Sequence, residues 1–384
     1  MKKVLILTAG YGEGHNSAAR ALQAAFNEYP DVSAELVDLF ALRAPRLNEI
    51  SRRGYLKLIN TAPTVWSTLY RWLDRSPRAP AMFRTLASHR RLLAEIIRAK
   101  NPTALVSTYP VYGWLLNRLR ADGMKFCPHY TVITDAITIN SLWYRTPAAA
   151  WFVTDHDSAA YLRQQAVPAD RVHVSGFPVA LAFADRPAHL VPPSPGSAPR
   201  ILFMINSARG PALRIVRELL KQPGWRLTIT AGRDEAFRNE LQLLAAGAPA
   251  QAEVLGWTDR IPQLLMTHHV VISKAGGATT QESINALCPM LISQIVPGQE
   301  EGNYELLRRH EAGALATTPE EIVTTLQRAF ADDATLWRRW RANLERLARP
   351  SAAREIAARV LSPAACAFAQ PAGSRAAVVQ SGLS

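Results

Sequence analysis

Lys274-Ala-Gly-Gly-Ala-Thr-Thr-Gln-Glu282 is the stretch on which the reading of this chain turns. It follows His269-Val-Val-Ile-Ser273, a short β-branched apolar run of the kind that forms a buried strand, and residues 279–287 beyond it suit a helix. A strand, a glycine pair and a helix start leave backbone N–H groups pointing outward, at the end of the helix dipole that favours an anion. With no side chains at Gly276 and Gly277, a phosphate can approach closely, so a diphosphate is the natural guest. The carboxylate of Glu282 would repel phosphate but can accept both hydroxyls of a ribose. Thr279-x-x-Glu282 also fits a capping box that only satisfies helix-end donors, and from these residues both readings stand. About twenty residues on, Pro297-Gly-Gln-Glu-Glu-Gly-Asn303 places Gln299, Glu300 and Asn303 at another Pro-Gly loop leading into a helix. Polar groups gathered at two adjacent strand ends suit a sugar.

The chain has 384 residues, 48% of them hydrophobic, which is enough apolar material for two domains of ordinary size. Cys127, Cys288 and Cys366 lie far apart with no C-x-x-C spacing, so a reduced compartment and no zinc site are expected. No window reaches the eighteen apolar residues of a spanning helix, and the apolar run after Met1-Lys-Lys is too short for a signal peptide. The expectation is a cytosolic protein, free or attached to a membrane from the cytosolic side. Its net charge of +13 makes nucleic acid and an anionic membrane the two partners to weigh.

At the N-terminus, Val4-Leu-Ile-Leu-Thr8 reads as a buried strand running into Ala9-Gly-Tyr-Gly-Glu-Gly-His15 and a helix with Ala18, Leu22, Ala25 and Phe26 on one face. Asn16 or Ser17 is the expected cap. Gly10, Gly12 and Gly14 are spaced differently from the G-x-G-x-x-G fingerprint, which argues against NAD. Further short strands at 105–108, 130–134, 151–154 and 172–175 continue an α/β sandwich. Asp135 falls at a strand end, where open sheets place ligands, and reads either as a catalytic base or as a helix cap. Residues 186–199, rich in Pro, Ser and Ala, form a linker. A second α/β series then runs through 201–205, 227–230 and 254–257 to the strand before Lys274. Residues 362–384 have the composition of a disordered tail.

Residues 43–98 hold twelve arginines and lysines against three acidic residues, interleaved with Tyr55, Trp66, Tyr70, Trp72 and Phe83. Pro63 suits a first helical turn, after which Trp66, Leu69, Tyr70 and Leu73 share a face beside Arg71. Read together, these residues form an interfacial surface for an anionic leaflet; read singly, the aromatics are core and the arginines a solvated face. Positive charge alone, with no motif, does not support nucleic acid as the partner.

Gly12-Glu-Gly-His15 followed by Ser17-Ala-Ala-Arg20, taken with Lys274-Ala-Gly-Gly277, Glu282 and Gly298-Gln-Glu300, resembles the monogalactosyldiacylglycerol synthase and processive diacylglycerol glucosyltransferase family. That family is allied to the enzymes that add N-acetylglucosamine to peptidoglycan lipid, and the likeness runs from roughly residue 3 to 330. The resemblance implies an α/β protein of GT-B type, two Rossmann-like domains facing a central cleft. Residues 1–185 would be the acceptor and membrane-facing domain, 200–334 the UDP-sugar domain, and 335–361 helices returning to the first domain.

The implied reaction moves galactose or glucose from a UDP-hexose to diacylglycerol with inversion, on the inner face of the cell membrane, without cofactor or metal. Gly276 and Gly277 would serve the diphosphate, with Thr279 also on the donor side, Glu282 the ribose, Gln299, Glu300 and Asn303 the sugar, and Gly256 and Trp257 would lie near the uracil. Gly12 and Gly14 would line the acceptor side. His15 is the first choice as general base, with Glu13 or Asp135 as the alternatives. Asn206-Ser-Ala-Arg-Gly210 departs from the family's usual run of glycines, and Arg209 would compensate by a charge-assisted contact with phosphate. The same architecture also serves peptidoglycan-lipid transfer and UDP-sugar 2-epimerisation; a nonenzymatic basic binding protein is the remaining alternative.

Overall fold

The computed structural model describes residues 1–10, 13–43, 54, 86–185, 198–297 and 300–362, with Glu13 described as helical backbone only. Gly12, Trp66, Tyr70, Arg71 and Gln299 therefore lie outside the described residues, as do most of the linker and the tail.

Two sheets organise the chain. The first is built by β1 (Lys2–Thr8), α1 (Glu13–Phe26), β2 (Val32–Asp38), α2 (Leu39–Arg43), α3 (Ala87–Lys100), β3 (Ala104–Ser107), α4 (Val111–Ala121), β4 (His129–Val132), β5 (Ala150–Val153), α5 (His156–Gln164) and β6 (Val172–Val174). The second follows with β7 (Arg200–Met204), α6 (Arg209–Leu220), β8 (Arg226–Thr230), α7 (Glu235–Ala245), β9 (Gln251–Leu255), α8 (Ile261–Thr267), β10 (Val270–Lys274), α9 (Gly277–Ala286), β11 (Met290–Gln294), α10 (Glu301–Arg309) and β12 (Gly313–Leu315). Helices α11 (Pro319–Leu347) and α12 (Ala352–Leu361) close the described chain.

Strand order is β2-β1-β3-β4-β5-β6 in one sheet and β12-β11-β10-β7-β8-β9 in the other, with every pairing parallel. Parallel sheets are covered by helices on both faces, which explains why β1, β3, β5 and β10 read as largely continuous apolar runs rather than alternating ones, and why β4 is buried along its whole length. Chain direction across the sheet reverses between β1 and β3 and again between β7 and β10. Such reversals open a crevice at the carboxyl ends of the strands. The loop to His15 leaves one crevice and Ala275-Gly-Gly277 leaves the other.

The two sheets meet through side-chain-free positions. Helix α1 packs against α9, and a Cβ placed on Gly14 would sit 3.8 Å from the Ala278 amide nitrogen. On α10, a Cβ at Gly302 would fall 2.0 Å from the Ala136 carbonyl oxygen and 2.6 Å from Thr138 Oγ1. Only glycine lets α10 approach the loop after β4 this closely.

The C-terminal helices divide differently from the sequence expectation. Trp337 and Trp340 are buried in the core of the second sheet with Ile215, Leu219 and Val270, and the Trp337 indole donates to the His269 carbonyl at 2.6 Å. Ala353, Ile356, Ala357 and Val360 are instead buried with Leu22 and Phe26 of the first sheet. The return to the first domain therefore falls between α11 and α12 rather than at residue 335. Two indoles carry a large apolar area that favours burial, and the second sheet supplies the hydrogen-bond acceptor that Trp337 needs. Helix α11 is itself interrupted at 331–334, where Asp332, Asp333 and Ala334 take left-handed backbone angles.

Candidate active site between two parallel sheets

On the second domain, α9 begins at Gly277 with Gly276 as its N-cap, two residues earlier than the sequence pattern predicts, and no side chain caps it. The Thr279-x-x-Glu282 capping box does not form, because Thr279 is already the third residue of the helix. The first amides of α9 are thus left for another acceptor at the positive end of the dipole. Glu282, one turn further in, receives a hydrogen bond from Ser17 Oγ of the first domain at 3.3 Å. Ser17 and Asn16 were read as caps of α1; that helix starts earlier, at Glu13, and Asn16 Oδ1 instead accepts from Thr8 Oγ1 at 3.0 Å.

Glu300 and Asn303 reach the same strand end from the other side. The Glu300 carboxylate, 5% exposed, is ion-paired with Lys274 through Oε1, and its Oε2 accepts from the Val296 amide at 3.0 Å. Asn303 Nδ2 donates to the Ala275 carbonyl at 2.9 Å, which braces the glycine turn. Asn206, a position the sequence reading passed over, ties the two strands of the switch point: Nδ2 donates to Ser273 Oγ at 2.8 Å and Oδ1 accepts from the Lys274 amide at 3.3 Å. The signal for it lay in the loop whose expected glycines are missing.

Arg209 is engaged elsewhere. Its guanidinium pairs with Asp234, with Nε at 2.9 Å from Oδ2, and lies 5.2 Å over the Phe237 ring. Asp234 also caps α7 by accepting from the Phe237 amide at 3.1 Å. Gly256 and Trp257 follow β9, three strands from β10 and so about 14 Å away at ordinary strand spacing. Trp257 is 63% exposed, and the Arg233 guanidinium stands 5.4 Å over its ring.

Across the cleft, His15 lies in the first turn of α1. Its Nδ1 is 2.9 Å from Thr134 Oγ1, and its carbonyl accepts from Thr108 Oγ1 at 3.1 Å. The Tyr109 ring meets it edge-on at 5.1 Å between centroids, and the Trp143 ring lies at 6.0 Å. Burial among these groups pulls the imidazole down to about 4, against a smaller upward effect of its hydrogen bond to the Thr108 backbone, so it is neutral at pH 7. Asp135 is not a helix cap: it accepts from the Trp143 indole at 2.7 Å, while Asp155 caps α5 through the Ser158 amide at 2.8 Å. Burial raises the Asp135 carboxyl to about 6 despite the hydrogen bonds from Trp143 and the Asn140 backbone. Asp38, also passed over in the sequence, holds the glycine loop by accepting the Gly10 amide at 2.9 Å.

Thr134 joins the two sides. While its hydroxyl meets His15, its carbonyl oxygen lies 3.6 Å from where a Cβ on Gly277 would stand. Among the described residues, no group of three or more His, Cys, Asp or Glu side chains is arranged to hold a metal ion.

Two parallel six-stranded sheets with flanking helices and a cleft between switch points define a GT-B glycosyltransferase fold. Solved structures agree on the architecture. Acinetobacter baumannii MurG matches with a TM-score of 0.60 at 17% identity, covering 93% of this chain and 98% of that one. The calicheamicin glycosyltransferase CalG4 also gives 0.60, at 13% identity over 94% of this chain and all (100%) of its own. Staphylococcus aureus MnaA with UDP gives 0.60 at 12%, over 94% and 96%.

Sequence comparison narrows the class. Residues 15–179 match the family model for monogalactosyldiacylglycerol (MGDG) synthase. The chain is 25% identical over 344 residues to the processive diacylglycerol beta-glucosyltransferase of Bacillus cereus (strain AH187), covering 87% of each, and 26% identical over 346 residues to that of Bacillus pumilus (strain SAFR-032), covering 87% and 88%. These matches make the chain similar to the monogalactosyldiacylglycerol synthases over residues 15–179 and to the processive diacylglycerol glucosyltransferases over most of its length.

Proposed function

We propose that this enzyme transfers a hexose, galactose or glucose, from a UDP-sugar to the free hydroxyl of diacylglycerol, inverting the anomeric centre. The observation that carries the reading is the meeting of His15 with the glycine start of α9 through Thr134. A side chain able to take a proton therefore faces helix amides able to receive a leaving diphosphate.

In the step itself, the diacylglycerol oxygen forms a bond to the anomeric carbon as the bond from that carbon to the phosphate oxygen breaks. UDP departs with the electron pair, and the amides of Gly277 and Ala278 stabilise the charge that develops on it. The hydroxyl proton passes to the imidazole of His15. In the tautomer that carries its proton on Nδ1, Thr134 Oγ1 accepts that proton and the lone pair on Nε2 is left for the one from the hydroxyl. The raised carboxyl of Asp135 is the alternative base, and Glu13 a second. Glu282 takes the ribose hydroxyls, Glu300, Asn303 and Gln299 the sugar, Thr279 the diphosphate surroundings, and Trp257 with Gly256 the base.

The names of the Bacillus relatives support diacylglycerol as acceptor. An anionic membrane is the surface on which that acceptor is met, supported by the basic and aromatic composition of residues 43–98. No helix among the described residues is long and apolar enough to cross a membrane. The fold is shared with a UDP-N-acetylglucosamine 2-epimerase from Neisseria meningitidis, TM-score 0.57, so product analysis decides between reactions. Incubation with UDP-glucose or UDP-galactose and diacylglycerol, followed by lipid mass spectrometry, is expected to give a hexosyl lipid. Conversion of a UDP-sugar to its 2-epimer with no new lipid would refute the proposal.

A further inference from the structure

The Glu300 carboxylate poses an electrostatic problem for the donor site. Its Oε1 lies 3.8 Å from the point a Cβ on Gly276 would occupy, on the surface that the diphosphate must approach. It is nearly buried, and the hydrogen bond from the Val296 amide fixes it in place. An unneutralised carboxylate there would repel the phosphates that the α9 amides attract. Lys274 answers both charges. Its Nζ is ion-paired with Glu300, and it also stands 3.9 Å from the same Gly276 point, with 29% of its side chain open to solvent.

We propose that Lys274 is a ligand of the donor diphosphate, held at the site by Glu300 until the nucleotide arrives. Nucleotide entry draws the ammonium toward the phosphate oxygens, so that one cation bridges the diphosphate and the Glu300 carboxylate. The negative charge of Glu300 then remains neutralised while its oxygens face the sugar hydroxyls. The ammonium adds a full charge to the partial charge of the helix start. The inference rests on the UDP-sugar reading and assigns a residue within that site.

Calorimetric titration of the wild-type enzyme and its variants with UDP and with uridine tests it. The wild type is expected to bind UDP at least tenfold more tightly than uridine. Lys274→Met should lose most of that UDP advantage while its uridine affinity stays within about twofold. Adding Glu300→Gln to Lys274→Met should restore part of the UDP affinity, because the uncompensated carboxylate is gone. Equal losses for UDP and uridine, or an unchanged ratio, would assign Lys274 a structural role and overturn the proposal. A wild type that binds neither would overturn the UDP-sugar reading with it. A measurement on the native chain guards against a variant that fails to fold: UDP, but not uridine, should protect Lys274 from acetylation by acetic anhydride, read by peptide mass spectrometry. Equal modification in the presence of either would count against the assignment.

Discussion

The Thr134 hydroxyl lies 2.9 Å from His15 Nδ1, and the Thr134 carbonyl oxygen lies 3.6 Å from the Cβ position of Gly277. One residue just beyond β4 thus meets the candidate base and borders the opposing helix start. Thr134→Val keeps the shape but removes the hydroxyl partner of His15 Nδ1, and kcat is expected to fall about tenfold or more, with the KM for UDP-hexose little changed. Thr134→Ser should recover most of the rate. A valine variant with wild-type kcat would show that the hydrogen bond has no part in catalysis.

The pH profile separates the two candidate bases. Burial sets His15 near 4 and Asp135 near 6, and each acts as a base only when unprotonated. With His15 as base, kcat/KM stays level from pH 8 down to about 5 and falls only as pH approaches 4. With Asp135 as base, the fall begins near pH 6. The profile measured for wild type and for Asp135→Asn, which should lack any limb near 6, decides between them.

Gly302 permits the approach of the two domains. An added methyl would lie 2.0 Å from the Ala136 carbonyl, so Gly302→Ala must push α10 away from the loop after β4. The expected outcome is a loss of kcat/KM of about tenfold or more and a larger radius of gyration in solution scattering, with thermal melting shifted by only a few degrees. Unchanged scattering and kinetics would mean that this contact does not govern closure.

Trp337 anchors α11 in the second sheet, donating to the His269 carbonyl and fully buried. Trp337→Ala should cost about 3–5 kcal/mol of stability in chemical unfolding. A loss below about 1 kcal/mol would contradict its place in that core.

Basic side chains close to an anionic leaflet contribute about 1 kcal/mol each, and residues 43–98 carry twelve of them. Flotation with vesicles containing anionic lipid should recover the protein at low salt and lose it as salt rises. Recovery on neutral vesicles alone, insensitive to salt, would contradict an electrostatic attachment.

Much of the fold was legible because parallel strands covered on both faces must be apolar throughout, and Val4-Leu-Ile-Leu and Val270-Val-Ile say so without periodicity. The glycine pair at 276 and 277 was legible for a similar reason, since two residues without side chains between a strand and a helix have few other uses. Less accessible were the relationships that need two distant elements at once. Nothing local in Ser17 points to Glu282, nor in Thr134 to His15, since each pair joins residues more than a hundred positions apart. Helix starts were misplaced by a few residues at α1 and α9 because Ser, Asn and Thr are good caps in isolation, yet here Asn16 bonds to Thr8, Ser17 to Glu282, and Thr279 lies inside its helix. Residues 335–361 were expected on the first domain from the resemblance alone, and nothing local in Trp337 or Trp340 names the second sheet as the partner that buries them.

The most direct test of two sites facing one cleft is single-turnover hexose transfer to diacylglycerol by wild type, His15→Ala and Glu282→Ala. The account predicts that His15→Ala loses about a hundredfold in rate while UDP affinity is kept, and that Glu282→Ala needs about tenfold more UDP-hexose to reach a rate near that of wild type. Wild-type rates and affinities for both variants would contradict it.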